Sequence, residues 1–326
     1  MAPEQDIPLQ ADVAAFLAST ADAPGLDSLH VADARALIDS VLPTLDAPRV
    51  PVLTTRASAR IGERLLDLAV YTPSVPRDLP IVGIYLHGGG WAVGSLMSHD
   101  ALVSTICDTL GITVLSVGYR LAPEWPFPAA VDDLADVIDW HADTLSRDPA
   151  LRYVLMGDSA GAHICAAQHV GRSEPDPRIL AQWLIYPVLD LDFRSYESAS
   201  AFGDGFGFTS AEMDWYASMV APERDQKGVS GDARLDLIAA ISQSSPPPTI
   251  VTACSHDLLR DQGRAYAEAL TSAGVPVIAN ELRGQIHGAF CMRQSCPSAA
   301  LALASTLETV AWFLGDLTPV TQDGPS

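Results

Sequence analysis

The chain of 326 residues, 48% hydrophobic and only 18% charged, allows one large α/β domain or two small ones, can bury a sizeable core and is not a disordered chain. Its 19 basic against 40 acidic residues give a formal charge of -21, with Lys227 the single lysine, so no basic stripe faces phosphates or anionic lipid and neither nucleic acid nor a membrane is expected as a partner. Five scattered cysteines, Cys107, Cys165, Cys254, Cys291 and Cys296, include no C-x-x-C pair, which speaks against a disulfide framework or a zinc site and for buried thiols in a reducing, cytoplasmic setting.

The N-terminal Met-Ala-Pro-Glu-Gln-Asp is acidic where a signal peptide needs a basic start, and no run of about 18 apolar residues free of Gly, Pro and His follows. Residues 1–48 carry two helix-like stretches with no strand partner. From about residue 66, short strand-like runs alternate with longer helical periods, the pattern of a parallel sheet covered on both faces. Strands are predicted at Leu66–Tyr71, Ile81–Leu86, Ile112–Val117, Tyr153–Met156, Ile179–Tyr186, Thr249–Ala253 and Val275–Leu282. Helical spacing fits 98–110, the series Val131, Leu134, Ile138, Ala142 and Leu145, and then 160–170, 261–273 and 298–314.

Residues 190–245 break the rhythm with Gly203, Gly205 and Gly207 among aromatics, a helix-like stretch around Trp215, and a polar run ending in Pro246-Pro247-Pro248. An insertion of that length is expected to pack over the strand ends as a cap, together with 1–48. The catalytic core then comprises 49–189 and 246–318 of a single domain, with 319–326 as a tail.

Gly157-Asp158-Ser159-Ala160-Gly161 joins a predicted strand to a predicted helix, the context of a G-x-S-x-G nucleophile elbow, in which Ser sits on a strained turn and side chains at the flanking glycines would collide with backbone. His87-Gly88-Gly89-Gly90-Trp91 directly follows the apolar run Ile81–Leu86, as an oxyanion-hole loop does. The N–H groups of Gly88, Gly89 and Ala160 are the expected donors to a developing oxyanion. No G-K-[ST] or G-x-G-x-x-G pattern follows, so a nucleotide cradle is not indicated.

Ser159 needs a base and the base an orienting carboxylate, in the chain order Ser, Asp or Glu, His. Asp257, after the run Thr249–Ala253, and His287, in the turn after Leu282, meet that order at the ends of strands. Asp261 is the rival acid one helical turn further on, and Asp158 is expected to support the elbow. Among the other histidines, His163 falls one turn after Ser159 and is a candidate substrate contact.

These motifs resemble the hormone-sensitive-lipase-like family of α/β-hydrolases, which contains the bacterial family IV esterases. The likeness spans most of residues 80–290: the His87-Gly88-Gly89-Gly90-Trp91 loop, Tyr119-Arg120-Leu121-Ala122-Pro123-Glu124 with Phe127-Pro128-Ala129-Ala130, the elbow, Asp257-Leu258-Leu259-Arg260-Asp261 and His287-Gly288. Leu258 stands where the family has proline, and Ala289 separates Gly288 from Phe290. Arg120 and Glu124 read as charges that lock a loop rather than bind substrate.

The resemblance implies an α/β-hydrolase fold, with a mostly parallel central sheet of about eight strands, helices on both faces and a helical cap. It implies Ser159, Asp257 and His287 as a triad, no cofactor and no metal. The expected activity is hydrolysis of short-to-medium acyl carboxylic esters through an acyl-enzyme. Acyl transfer, lactone opening or amide cleavage would use the same triad, and a non-catalytic small-molecule-binding protein would use the same scaffold. Trp91, Met97, Phe206, Phe208, Trp215 and Met219 are the expected apolar pocket residues, with His163 beside them. The resemblance also implies a homodimer through Val275–Leu282 and 298–314.

Overall fold

In the computed structural model, which describes residues 7–146, 148–223 and 231–317, alternating apolar residues build the sheet. The N-terminal hexapeptide, the stretch 224–230 with Lys227, and the 319–326 tail lie outside the described residues. The strands are β1 (Leu53–Ile61), β2 (Arg64–Thr72), β3 (Ile81–Leu86), β4 (Thr113–Gly118), β5 (Arg152–Asp158), β6 (Ile179–Ile185), β7 (Thr249–His256) and β8 (Val277–Ile286). Along β3, Val82, Ile84 and Leu86 enter one hydrophobic layer while Ile81 and Tyr85 enter the other, and Tyr153 and Leu155 against Val154 and Met156 do the same along β5. A period of two with both sets apolar is the signature of strands buried on both faces.

The sheet order is β1-β2-β4-β3-β5-β6-β7-β8. β1 pairs with β2 and β2 with β4 antiparallel, and every later pair is parallel. This is the α/β-hydrolase architecture. β1 is the one strand that the apolar runs do not reveal: it is an edge strand whose residues are mostly exposed, and Thr54, Thr55, Arg56, Ser58 and Arg60 interrupt its hydrophobic pattern.

The helices are α1 (Ala11–Thr20), α2 (Val31–Leu45), α3 (Asp100–Leu110), α4 (Ala129–Thr144), α5 (Ala160–Ala167), α6 (Glu197–Phe202), α7 (Ser210–Val220), α8 (Arg260–Ser272) and α9 (Pro297–Leu317). α4, α5 and α8 pack on one face of the sheet and α3 and α9 on the other. By length and composition α9 could cross a membrane; here its stripe of Leu303, Leu307, Val310 and Leu314 is buried in the layer shared with α3.

The segments without strand partners divide. α1 packs against β8 and α9, where Asp12 accepts from Ser298 N at 2.6 Å. α2 and α7 instead reach over the ends of the central strands. α7 starts with a capping box between Thr209 and Glu212, and Glu212 Oε1 also accepts from Leu26 N at 3.1 Å, tying the two segments together. From α2, Arg35 donates to Ala92 O and Ala122 O, each at 2.8 Å, and pairs with Glu124 at 2.6 Å. Arg120 pairs not with Glu124 but with Asp133, at 2.8 Å, so both charges lock loops through partners distant in sequence.

Candidate active site

β5 ends at Asp158 and α5 begins at Ala160, so Ser159 alone makes the turn, with φ 53° and ψ -116°. That region strains any residue with a side chain. The flanking glycines make the close approach possible: a Cβ on Gly161 would sit 2.0 Å from Leu86 O, and one on Gly157 would sit 2.5 Å from the Gly161 carbonyl carbon. The turn is held by Ser159 N–H donating to Ile185 O at 2.8 Å.

His287 follows β8 and Asp257 follows β7, both at the carboxyl end of the parallel strands, as is Ser159. His287 Nε2 lies 2.9 Å from Ser159 Oγ, and His287 Nδ1 lies 2.7 Å from Asp257 Oδ2. A carboxylate only accepts, so Nδ1–H donates to Asp257 and Nε2 is left to accept the serine proton. Asp257 is fixed in turn, its Oδ1 accepting from Leu259 N at 2.8 Å. Asp261 points elsewhere, to Ser198 N and Arg260 Nε, each at 2.8 Å. The three residues named from chain order therefore meet, and the rival acid does not.

The loop after β3 corrects one expectation. Gly88 N–H is already taken, donating to Asp158 Oδ1 at 2.8 Å, so it cannot also face an oxyanion. Among the described residues, Gly89 N, Gly90 N and Ala160 N have no acceptor, and Gly90 replaces Gly88 in the donor set. Asp158 does more than support the elbow. It also accepts from Tyr85 Oη at 2.7 Å and faces His99 Nε2 at 3.3 Å. Burial alone would raise the Asp158 pKa, but His99, Tyr85 and Gly88 N–H hold it below the usual carboxylate range. Burial would likewise depress His99, yet the Asp158 carboxylate carries it well above the ordinary histidine value. His87, packed at 4.4 Å against the Tyr119 ring, is pushed by burial down to about 4.

A cavity of about 200 Å³ opens over Ser159. Trp91 and Phe208 line it as expected, with the Phe208 ring 4.6 Å from that of His287. Five expected pocket residues do not line it. Met97 is 62% exposed. His163 is buried behind Trp91, accepting from Trp91 Nε1 at 3.3 Å through Nδ1 and donating from Nε2 to Arg234 O at 2.9 Å; burial lowers its pKa to about 4. Phe206 packs between Phe202 and His256, while Trp215 and Met219 pack against the core from the outer part of α7.

The cavity is completed instead by Met213 and Tyr216 of α7, Ile38 and Leu42 of α2, and Tyr186 and Val188 after β6. Met213, Tyr216, Ala217 and Val220 are the buried stripe of α7, an i, i+3, i+4, i+7 series that marks the inward face in the sequence itself. Ile38 and Leu42 are likewise one turn apart.

The alpha/beta hydrolase fold family matches residues 83–291. The chain belongs to that family, in its hormone-sensitive-lipase-like branch. It is 34% identical to the carboxylic ester hydrolase LipN of Mycobacterium tuberculosis over 285 residues, covering 84% of this chain and 75% of that one. It is 36% identical to the ethyl acetate hydrolase of Pseudomonas putida over 279 residues, covering 80% and 81%. Among solved structures, an ester hydrolase from the metagenome of Lake Arreo, complexed with a bipyridine phosphonate derivative, superposes with a TM-score of 0.82 at 29% identity, covering 94% of this chain and 99% of that one.

Proposed function

We propose that the chain is a carboxylesterase-type serine hydrolase in which Ser159, His287 and Asp257 cleave short-to-medium acyl esters, with α2 and α7 as the cap over them and α1 outside it, against β8 and α9. The observation that carries this reading is the His287 ring bridging Ser159 Oγ at 2.9 Å and Asp257 Oδ2 at 2.7 Å, beside the N–H groups of Gly89, Gly90 and Ala160, which have no acceptor among the described residues.

Ser159 Oγ adds to the ester carbonyl as His287 Nε2 takes its proton. Asp257 keeps Nδ1 protonated and stabilises the imidazolium. The N–H groups of Gly89, Gly90 and Ala160 hold the oxyanion, each such donor being worth about 10²–10³ in turnover, and the α5 N-terminus adds positive potential. The imidazolium returns its proton to the leaving alcohol, leaving acyl-Ser159. Water then adds with His287 as base, and collapse returns the proton to Ser159 Oγ and releases the acid.

A cavity of about 200 Å³ lies below the usual range of roughly 300–1,000 Å³ for ligand sites, which supports a small acyl group. The test is hydrolysis of p-nitrophenyl esters from acetate to decanoate. Short and medium esters are cleaved fastest, and Ser159→Ala and His287→Ala each lose at least about 10³-fold in turnover. Undiminished turnover in folded Ser159→Ala overturns the mechanism, and fastest cleavage of decanoate overturns the acyl-length assignment.

A further inference from the structure

Beside the oxyanion loop, which Asp158 holds through Gly88 N–H, His99, Asp158 and Cys291 each offer one ligand atom, all within 4.8 Å of one another. His99 Nε2 and Asp158 Oδ2 are 3.3 Å apart. A tetrahedral ion bound at about 2.0–2.2 Å holds nitrogen and oxygen ligands about 3.3 Å from each other, so this pair already stands at ligand spacing. Imidazole, carboxylate and thiolate together suit zinc and its softer neighbours. All three residues are buried, yet all three line the cavity, which provides both an entry path and an open fourth position.

A second observation points to an occupant. The Tyr186 hydroxyl is buried with no hydrogen-bond partner among the described residues, at a cost of about 1–3 kcal/mol for such a group. Tyr186 lines the same cavity as His99, Asp158 and Cys291. A water completing the coordination of an ion would donate to that hydroxyl oxygen. The net charge of -21 favours the approach of a cation.

We infer that His99, Asp158 and Cys291 form a binding site for a thiophilic divalent cation such as Zn²⁺ or Cd²⁺, and that filling it inhibits the enzyme. Binding displaces the protons on His99 Nε2 and Cys291 Sγ into solvent, while Asp158 Oδ1 remains the acceptor for Gly88 N and Tyr85 Oη. The two released protons balance the ion's charge, so the ion opposes catalysis by occupancy: with the water on its open position it fills part of the cavity of about 200 Å³ that the substrate must enter. The inhibition rests on the serine mechanism proposed above; the binding does not.

The test titrates the metal-free protein with Cd²⁺ and follows the thiolate-to-cadmium charge-transfer absorption in the ultraviolet, alongside proton release and ester hydrolysis. The wild type takes up a single ion per chain with the thiolate signal and loses turnover, and a chelator restores it. Cys291→Ala and Cys291→Ser lose the signal, and their turnover, each against its own metal-free rate, no longer responds to Cd²⁺. Cys165→Ala keeps the signal. A wild type without the signal, or a signal that persists in both Cys291 variants, overturns the site. Binding that depends on Cys291 in a protein that hydrolyses no ester upholds the site and removes the mechanism instead.

Discussion

Asp158→Asn should damage stability and turnover together, because one carboxylate holds the elbow strand, the oxyanion loop and a charged histidine. Asp158 Oδ1 accepts from Gly88 N at 2.8 Å and Tyr85 Oη at 2.7 Å, and Oδ2 faces His99 at 3.3 Å. The isosteric amide keeps the shape and removes the charge. Breaking a buried pair from one side costs about 3–5 kcal/mol; the amide can still accept from Gly88 N or Tyr85 Oη, so about 3 kcal/mol is expected. Gly88 precedes the two loop glycines whose N–H groups face the cavity, so a slackened Gly88 displaces those donors. With one oxyanion donor worth about 10²–10³-fold, partial displacement should lower kcat by about 10–100-fold. The assay pairs urea unfolding with kcat on a p-nitrophenyl ester, with Tyr85→Phe as the comparison. Tyr85→Phe removes one hydrogen bond, costs about 1 kcal/mol and leaves the Gly88 contact in place. If Asp158→Asn keeps wild-type kcat while losing stability, the carboxylate does not position the loop.

Asp257→Asn should lower kcat by about 10³–10⁴-fold, through loss of the correct imidazole tautomer, whereas Asp261→Asn should change stability and leave kcat near wild type; the reverse result would exchange the two roles. Stability should also fall as pH drops from about 6.5 to 4. His87 and His163 have pKa values lowered to about 4 by burial, so within that window the unfolded chain binds more protons, at up to about 3 kcal/mol for each group. His99 acts oppositely: its raised pKa gives stability that is complete below the ordinary histidine value and is lost as pH rises through its folded pKa. A Tm that stays flat between pH 6.5 and pH 4 would contradict the buried neutral state of His87 and His163.

Where apolar residues run without interruption, the elements were legible: β3 occupies the predicted Ile81–Leu86, and α3 and α8 fall within two residues of their predicted spans. The triad was legible because strand ends and chain order constrain it strongly. The acceptor of Gly88 N–H was not, because Asp158 lies 70 residues away and only the folded register of β3 against β5 brings the two together. The pocket failed for a different reason. Proximity in sequence to the motifs does not place a large apolar residue in the cavity: the buried face of α7 is set by its helical period, which turns Met213 and Tyr216 inward and leaves Trp215 and Met219 outside the cavity. His163 likewise meets Trp91 rather than the cavity, a contact that spans 72 residues.

The central claim is that Ser159 becomes covalently acylated with His287 as its base. Incubating the protein with a p-nitrophenyl alkylphosphonate, which mimics the tetrahedral intermediate, and mapping the adduct by peptide mass spectrometry tests this most directly. A single phosphonyl group on Ser159 is expected, with release of p-nitrophenol in equal amount, no adduct in Ser159→Ala and slow labelling in His287→Ala. Hydrolysis of esters by a protein whose Ser159 stays unmodified, or labelling at another residue with loss of activity, would contradict it.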